Sequence, residues 1–128
     1  MEAWHIAANM IGLLSFAPLV RNKLGTDHFM FFYLSSCFFS SYCSWIWRCV
    51  RLRSAVSSLG ASGAVYAVTA LAAFFHDIDS ALLCVCIFEI ISLFRNSPFD
   101  NVAHLSGILW GFGEYYGDIG EDMYTGVI

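Results

Sequence analysis

The sequence predicts an all-α, polytopic membrane protein, a bundle of about five transmembrane helices. Hydrophobic residues make up 59% of the 128 residues, aromatic residues 17% and charged residues only 12%, and the mean hydropathy is +0.66. A soluble domain of this size carries about a quarter charged residues, so this composition leaves too little polar surface for a globular fold in water.

Five apolar segments give the predicted helices. They run over residues 5–20, 29–47, 62–75, 80–94 and 102–116. A helix that crosses the bilayer needs roughly 20 apolar residues, with a range of about 17–25, so most of these segments are short. We expect local thinning of the bilayer around them, or shielding of the short helices by their neighbours.

The residues at the ends of these segments are typical helix caps. Gly25 is the expected C-cap of the first helix, and Asp100 or Asn101 is the expected N-cap of the fifth. Residues 1–117 are predicted to form one core domain, and residues 118–128 an acidic, mobile C-terminal tail.

Nothing in the sequence indicates a metal, a cofactor or a nucleic acid partner. Most cysteines lie within apolar runs, where cysteine serves as a small hydrophobic residue. Cys84 and Cys86 have the wrong spacing for a zinc knuckle, and no pair of histidines stands nearby. No basic stripe that would bind a nucleic acid is present. The expected partner is the lipid bilayer.

Three of the apolar segments carry polar groups, which are costly at membrane depth and usually mark a functional site. Ser62 opens the third segment, His104 lies one turn inside the fifth, and His5 and Asn9 lie on the first. A serine hydroxyl is a poor nucleophile until a base removes its proton. Because His104 lies at a depth similar to that of Ser62, it is the candidate base.

Small residues predict how this serine and histidine meet. Gly107 and Gly111 follow His104 at three and seven residues, on the same helical face. Glycines at such spacing let two membrane helices approach closely, and the third segment offers a matching surface of Gly63 and several alanines. The alternative is that the two glycines serve packing only.

Other polar residues suggest supporting roles. His5 and Asn9 point the same way from one helix and could stabilise an oxyanion, as could the amide of Ser62 at a helix start. For Asn9, a hydrogen bond between helices is the alternative. Tyr66, one turn after Ser62, could pack on the imidazole of His104.

The sequence favours a serine–histidine dyad, because no clear third member appears. Asp100 precedes His104 by one turn and could orient its ring, but a helix N-cap is the favoured role. Glu89 lies in the middle of the fourth segment. It could line an entrance for substrate or water, or it could bond a neighbouring helix, and both roles stay open.

Together these residues resemble the rhomboid family of intramembrane serine proteases, and most of all its mitochondrial presenilin-associated rhomboid-like branch. The matching motifs are His5-Ile6-Ala7-Ala8-Asn9-Met10, Gly60-Ala61-Ser62-Gly63 with Tyr66, and Ala103-His104-Leu105-Ser106-Gly107 with Gly111. The resemblance implies that Ser62 is the nucleophile and His104 the general base. It also implies that His5 and Asn9 join the oxyanion hole, that Tyr66 stacks on His104 and that Gly63 permits close packing beside the nucleophile.

The resemblance further implies a rhomboid-like helical bundle with a water-filled cavity that reaches the serine from one membrane face. Substrates would be single-pass transmembrane proteins, and the location would be a membrane, with the mitochondrial inner membrane as the specific expectation. The family core has six helices, so the chain is expected to be a fragment that lacks the first. Two alternatives stay open, an inactive rhomboid-like protein that binds client or partner helices, and a small transporter or channel subunit based on Glu89.

Overall fold

The computed structural model describes residues 3–51, 61–94 and 100–125, and these residues form five α-helices. The helices are α1 (Ala3–Leu24), α2 (Thr26–Arg51), α3 (Ala61–Phe75), α4 (Asp79–Phe94) and α5 (Asn101–Thr125). Each predicted helix is present, and no strand occurs in the described ranges. The all-α prediction is therefore confirmed.

The helices extend beyond the apolar segments that predict them. α5 continues to Thr125, well past the predicted limit at Tyr116. The predicted limits follow hydrophobicity, whereas a helix continues through polar residues for as long as its backbone bonds are satisfied. Residues 118–125 of the expected acidic tail are thus helical, and residues 126–128 lie outside the described part of the chain.

A single residue, Gly25, joins α1 to α2. Its φ of 82° lies in the left-handed region, where a residue with a Cβ is strained. Its amide donates to the carbonyl of Arg21 at 2.8 Å, and its carbonyl accepts from the amide of Phe29 at 3.0 Å. Gly25 therefore ends one helix and begins the hydrogen bonding of the next, and the predicted C-cap is confirmed.

Replacing Gly25 by alanine should destabilise the bundle by about 1–2 kcal/mol, the cost of left-handed backbone for a residue with a Cβ. No atom lies within 4 Å of the position that the new Cβ would take, so no steric clash adds to this cost. The control is Gly113→Ala in α5, where a Cβ also meets open space and alanine favours the helix. Unfolding midpoints in detergent test the prediction, and equal midpoints for Gly25→Ala and wild type would contradict it.

α3 lies at the centre of the bundle and is buried along most of its length. Its buried residues are Ser62, Gly63, Ala64, Val65, Ala67, Val68, Ala70, Leu71, Ala72 and Ala73. Small residues dominate because the neighbouring helices approach its backbone closely. With 15 residues, α3 is too short to cross a bilayer core of about 30 Å. Shielding by neighbours, one of the two expectations for short helices, therefore holds for α3.

Contacts along α3 and α5 set the direction of every neighbouring helix. The contacting pairs are Gly12 with Val65, Lys23 with Phe75, Ser40 with Gly63, Gly107 with Gly63, Gly111 with Ala67, and Glu89 with Tyr66 and His104. Phe32 and Leu71 share one apolar cluster, and so do Val85 and Ala70. α1, α3 and α5 are thus parallel, and α2 and α4 are antiparallel to them. We call the end where α1, α3 and α5 begin the site end.

Large apolar side chains cover the outside of the bundle. On α2, Phe31 is 72% exposed, Phe38 76% and Trp45 61%. Exposed apolar surface of this extent is unfavourable in water and suits a lipid environment. Within the described ranges, α2 is the helix whose length and apolar character suffice to span a membrane.

Candidate active site

Ser62 is the second residue of α3 and lies at the site end, where it is only 4% exposed. The next residue, Gly63, lets two other helices come close. A Cβ on Gly63 would overlap the side chain of Ser40 on α2 and would lie 2.9 Å from the carbonyl oxygen of Ala103 on α5. Packing against α2 and α5 therefore fixes the position of the serine.

The start of α5 packs directly on the start of α3. A Cβ on Gly107 would overlap the carbonyl of Gly63, and a Cβ on Gly111 would lie 2.6 Å from the carbonyl oxygen of Ala67. Only glycine allows backbones to approach this closely. The small-residue contact predicted from the sequence is present, and it brings the turn that carries the candidate histidine onto the turn that carries the candidate serine.

His104 is held rigidly in the interior, where it is 5% exposed. The ring of Tyr66 stacks on the imidazole, with 4.2 Å between ring centroids and an interplanar angle of 5°. This is the contact expected from the position of Tyr66 one turn after Ser62. A stacked aromatic ring restricts the rotation of the imidazole, so the histidine keeps one orientation.

Glu89 on α4 is the buried carboxylate of the site, with 1% of its surface exposed. The Tyr66 hydroxyl donates to its Oε1 at 2.7 Å, and the Asn101 side-chain amide donates to its Oε2 at 2.6 Å. Nδ1 of His104 lies 3.1 Å from Oε1. Of the two roles that the sequence left open for Glu89, bonding to neighbouring helices is the one present in the structure.

The pairing of Glu89 with His104 is not predicted by the sequence. α4 is apolar on nearly all sides, so its periodicity does not indicate which face turns inward. The partners of Glu89 come from α3 and α5, which no spacing within α4 reveals. The one available signal is general, since a lone carboxylate inside an apolar helix needs polar partners.

Asp100 occupies the N-cap of α5, as favoured from the sequence. Its Oδ1 accepts from the amide of Ala103 at 3.1 Å. Its Oδ2 accepts from the hydroxyl of Ser44 and from Nη2 of Arg48, both at 2.6 Å, and these two residues lie near the end of α2. Asp100 therefore fixes the start of α5 to the end of α2. The carboxylate that contacts the imidazole of His104 belongs to Glu89 instead.

His5 and Asn9 lie on the face of α1 that turns toward the bundle, and both are partly buried. Because α1 and α3 are parallel and Gly12 packs on Val65, Asn9 is level with Ser62. The side-chain amide of Asn9 donates to the carbonyl of His5 at 3.0 Å, a bond within α1. Both residues are thus at the site end, with the amide of Asn9 engaged by its own helix.

Comparison with known proteins points to one family. The family model described as Rhomboid domain matches residues 1–118. The mitochondrial presenilin-associated rhomboid-like protein of Homo sapiens is 31% identical over 138 residues, which cover 94% of this chain and 35% of that protein. Rhomboid protein 1, mitochondrial, of Saccharomyces cerevisiae is 30% identical over 128 residues, which cover 86% of this chain and 36% of that protein.

The chain therefore spans about a third of the length of the curated relatives that it matches. No solved structure matches it significantly.

Proposed function

Because the chain belongs to the rhomboid family, we propose that it is an intramembrane serine endopeptidase in which Ser62 is the nucleophile and His104 the general base. Family membership makes the chain an integral, multi-pass membrane protein. Its relatives are mitochondrial, and the chain is assigned to a mitochondrial membrane on that ground. The inner membrane is the specific location that we propose.

The observation that carries the proposal is the close packing of the beginnings of α3 and α5, which place Ser62 and His104 inside an otherwise apolar bundle. The first two turns of α5 rest on the first turn of α3, where Gly63 packs against Ala103 and Gly107. The imidazole of His104 is stacked by Tyr66 and bonded through Nδ1. A histidine held in one orientation, on a turn that packs against the turn carrying a serine, suits general-base catalysis, which depends on geometry before anything else.

In the proposed reaction, His104 takes the hydroxyl proton of Ser62 as Oγ attacks the carbonyl carbon of the scissile peptide bond. The tetrahedral intermediate then breaks its C–N bond, and the leaving amine takes the proton from His104. The product is an ester between Oγ of Ser62 and the acyl part of the substrate. A water molecule, deprotonated by His104, hydrolyses this ester and restores the serine.

The negative oxygen of the intermediate needs hydrogen-bond donors, each typically worth about 2.7–4 kcal/mol of barrier. We assign His5, Asn9 and the amide of Ser62 to this role. Asn9 on α1 lies at the same height along the bundle as Ser62 on α3, and this position supports the assignment. In the resting site, the Asn9 amide bonds the carbonyl of His5, so it must turn from its own helix toward the substrate oxygen during the reaction.

Single-pass transmembrane proteins are the proposed substrates. A peptide bond inside a regular helix has its carbonyl engaged in the helix, so attack requires a segment weakened by small or helix-breaking residues. Such a segment must be presented at the site end, where Ser62 opens α3. The lipid bilayer brings enzyme and substrate helices together in one plane.

A serine-directed fluorophosphonate probe tests this function in detergent-solubilised protein. We expect covalent labelling of the wild type and none of Ser62→Ala or His104→Ala. Matched controls are Ser35→Ala, whose hydroxyl donates to the carbonyl of Phe32 in its own helix, and His76→Ala in an exposed turn. Absence of labelling in helical, monodisperse wild type would overturn the proposal and favour a rhomboid-like protein that binds client helices.

A further inference from the structure

Glu89 is a buried carboxylate that has no role in the reaction as proposed above. Three polar side chains converge on its carboxylate, and within the described residues they come from α3 and α5. An ionised carboxylate accepts hydrogen bonds and donates none. Tyr66 and Asn101 donate hydrogen bonds to it, so the same carboxylate is suited to accept a hydrogen bond from Nδ1–H of His104.

The contact with Nδ1 determines what the other imidazole nitrogen does. In a neutral imidazole, one nitrogen carries the proton and the other has a lone pair. If Nδ1–H donates to Glu89, Nε2 has the free lone pair and can serve as the base. The Tyr66 ring stacked on the imidazole limits rotation that would carry Nδ1 away from Glu89.

A purely structural role would be to tie α4 to the bundle. The bonds from Tyr66 and Asn101 already do this, at 2.7 Å and 2.6 Å. The additional contact of Nδ1 is made to the same Oε1 atom that accepts from Tyr66. This one oxygen therefore contacts both the tyrosine and the histidine of the stacked pair. This arrangement places a negative charge where it would stabilise an imidazolium.

We propose that Glu89 is a positioning residue that completes a Ser62–His104–Glu89 arrangement. Its carboxylate holds His104 in the Nδ1–H tautomer and stabilises the imidazolium that forms when Ser62 loses its proton. The inference rests on the proposed function, since it gives Glu89 a part in the same reaction. It replaces the dyad predicted from the sequence by a triad whose acid comes from a different helix.

The rate of fluorophosphonate labelling tests the role of the charge. Glu89→Gln keeps the shape but removes the charge, and we expect the rate to fall by about 10²- to 10⁴-fold, as when the acid of a serine-protease triad becomes an amide. Glu89→Asp keeps the carboxylate and should recover part of the rate. The control is Glu114→Gln, which removes the carboxylate that pairs with His28 and should label like the wild type.

Nitrogen NMR of protein with isotope-labelled histidine tests the pairing independently of activity. His104→Ala identifies the His104 signals. We expect a protonated Nδ1 and an unprotonated Nε2 in the neutral wild type, and a mixture of tautomers in Glu89→Gln. A neutral His104 with a protonated Nε2 and an unprotonated Nδ1 in the wild type would overturn the inference, as would wild-type labelling by folded Glu89→Gln. If the wild type itself is not labelled, the proposed function fails, and the NMR result alone decides the Glu89–His104 pairing.

Discussion

Ser62→Ala, His104→Ala and the double variant are expected to lose about the same amount of activity, roughly 10⁴- to 10⁶-fold in kcat. Neither residue works without the other, because the histidine acts only by removing and returning the proton of the serine. Losses in such a unit are not additive. The loss of kcat in each variant is measured from cleavage of a single-pass transmembrane substrate that is reconstituted with the enzyme in liposomes.

The controls for this experiment are the Ser35→Ala and His76→Ala variants, which should cleave at the wild-type rate. A double variant whose loss equals the product of the two single losses would show that Ser62 and His104 act separately. Retained cleavage in Ser62→Ala would remove the serine from the mechanism altogether.

Gly107→Ala is expected to damage both stability and activity. The new Cβ would overlap the carbonyl of Gly63, and backbone atoms cannot move aside as a flexible side chain can. We expect a loss of about 1–3 kcal/mol from overpacking. Separation of the first turns of α3 and α5 would also misplace the imidazole, and a displacement of about 1 Å can cost 10²-fold in rate.

Gly113→Ala is the matched control for Gly107→Ala, because it makes the same change in the same helix with open space around the Cβ. Unfolding midpoints and fluorophosphonate labelling rates measure the two effects. If Gly107→Ala labels at the wild-type rate, the close contact between α3 and α5 is not needed to align the serine and the histidine.

Features that depend on local chemistry could be predicted from the sequence. The five helices follow from apolar runs, and the caps follow from Gly25 and Asp100, whose roles depend on the backbone next to them. The contact of α3 with α5 was also predictable, because small residues at helical spacing have few other uses at membrane depth.

Features that depend on how distant helices are rotated could not be predicted. Glu89 meets His104 only because α4 turns one particular side inward, and its apolar residues do not specify that side. A related case is α2, where Ser36, Ser40 and Ser44 are fully buried at intervals of four residues. This spacing indicates a close helix contact, but it does not identify the helix that is contacted.

The one-residue link at Gly25 has a consequence for biogenesis. Because only one residue connects α1 and α2, they must enter the bilayer together as a helical hairpin. α2 has sufficient apolar length to insert, whereas α1 carries His5 and Asn9, which oppose transfer into lipid. Insertion of α2 therefore draws α1 with it, and the hairpin as a whole brings the proposed oxyanion donors to membrane depth.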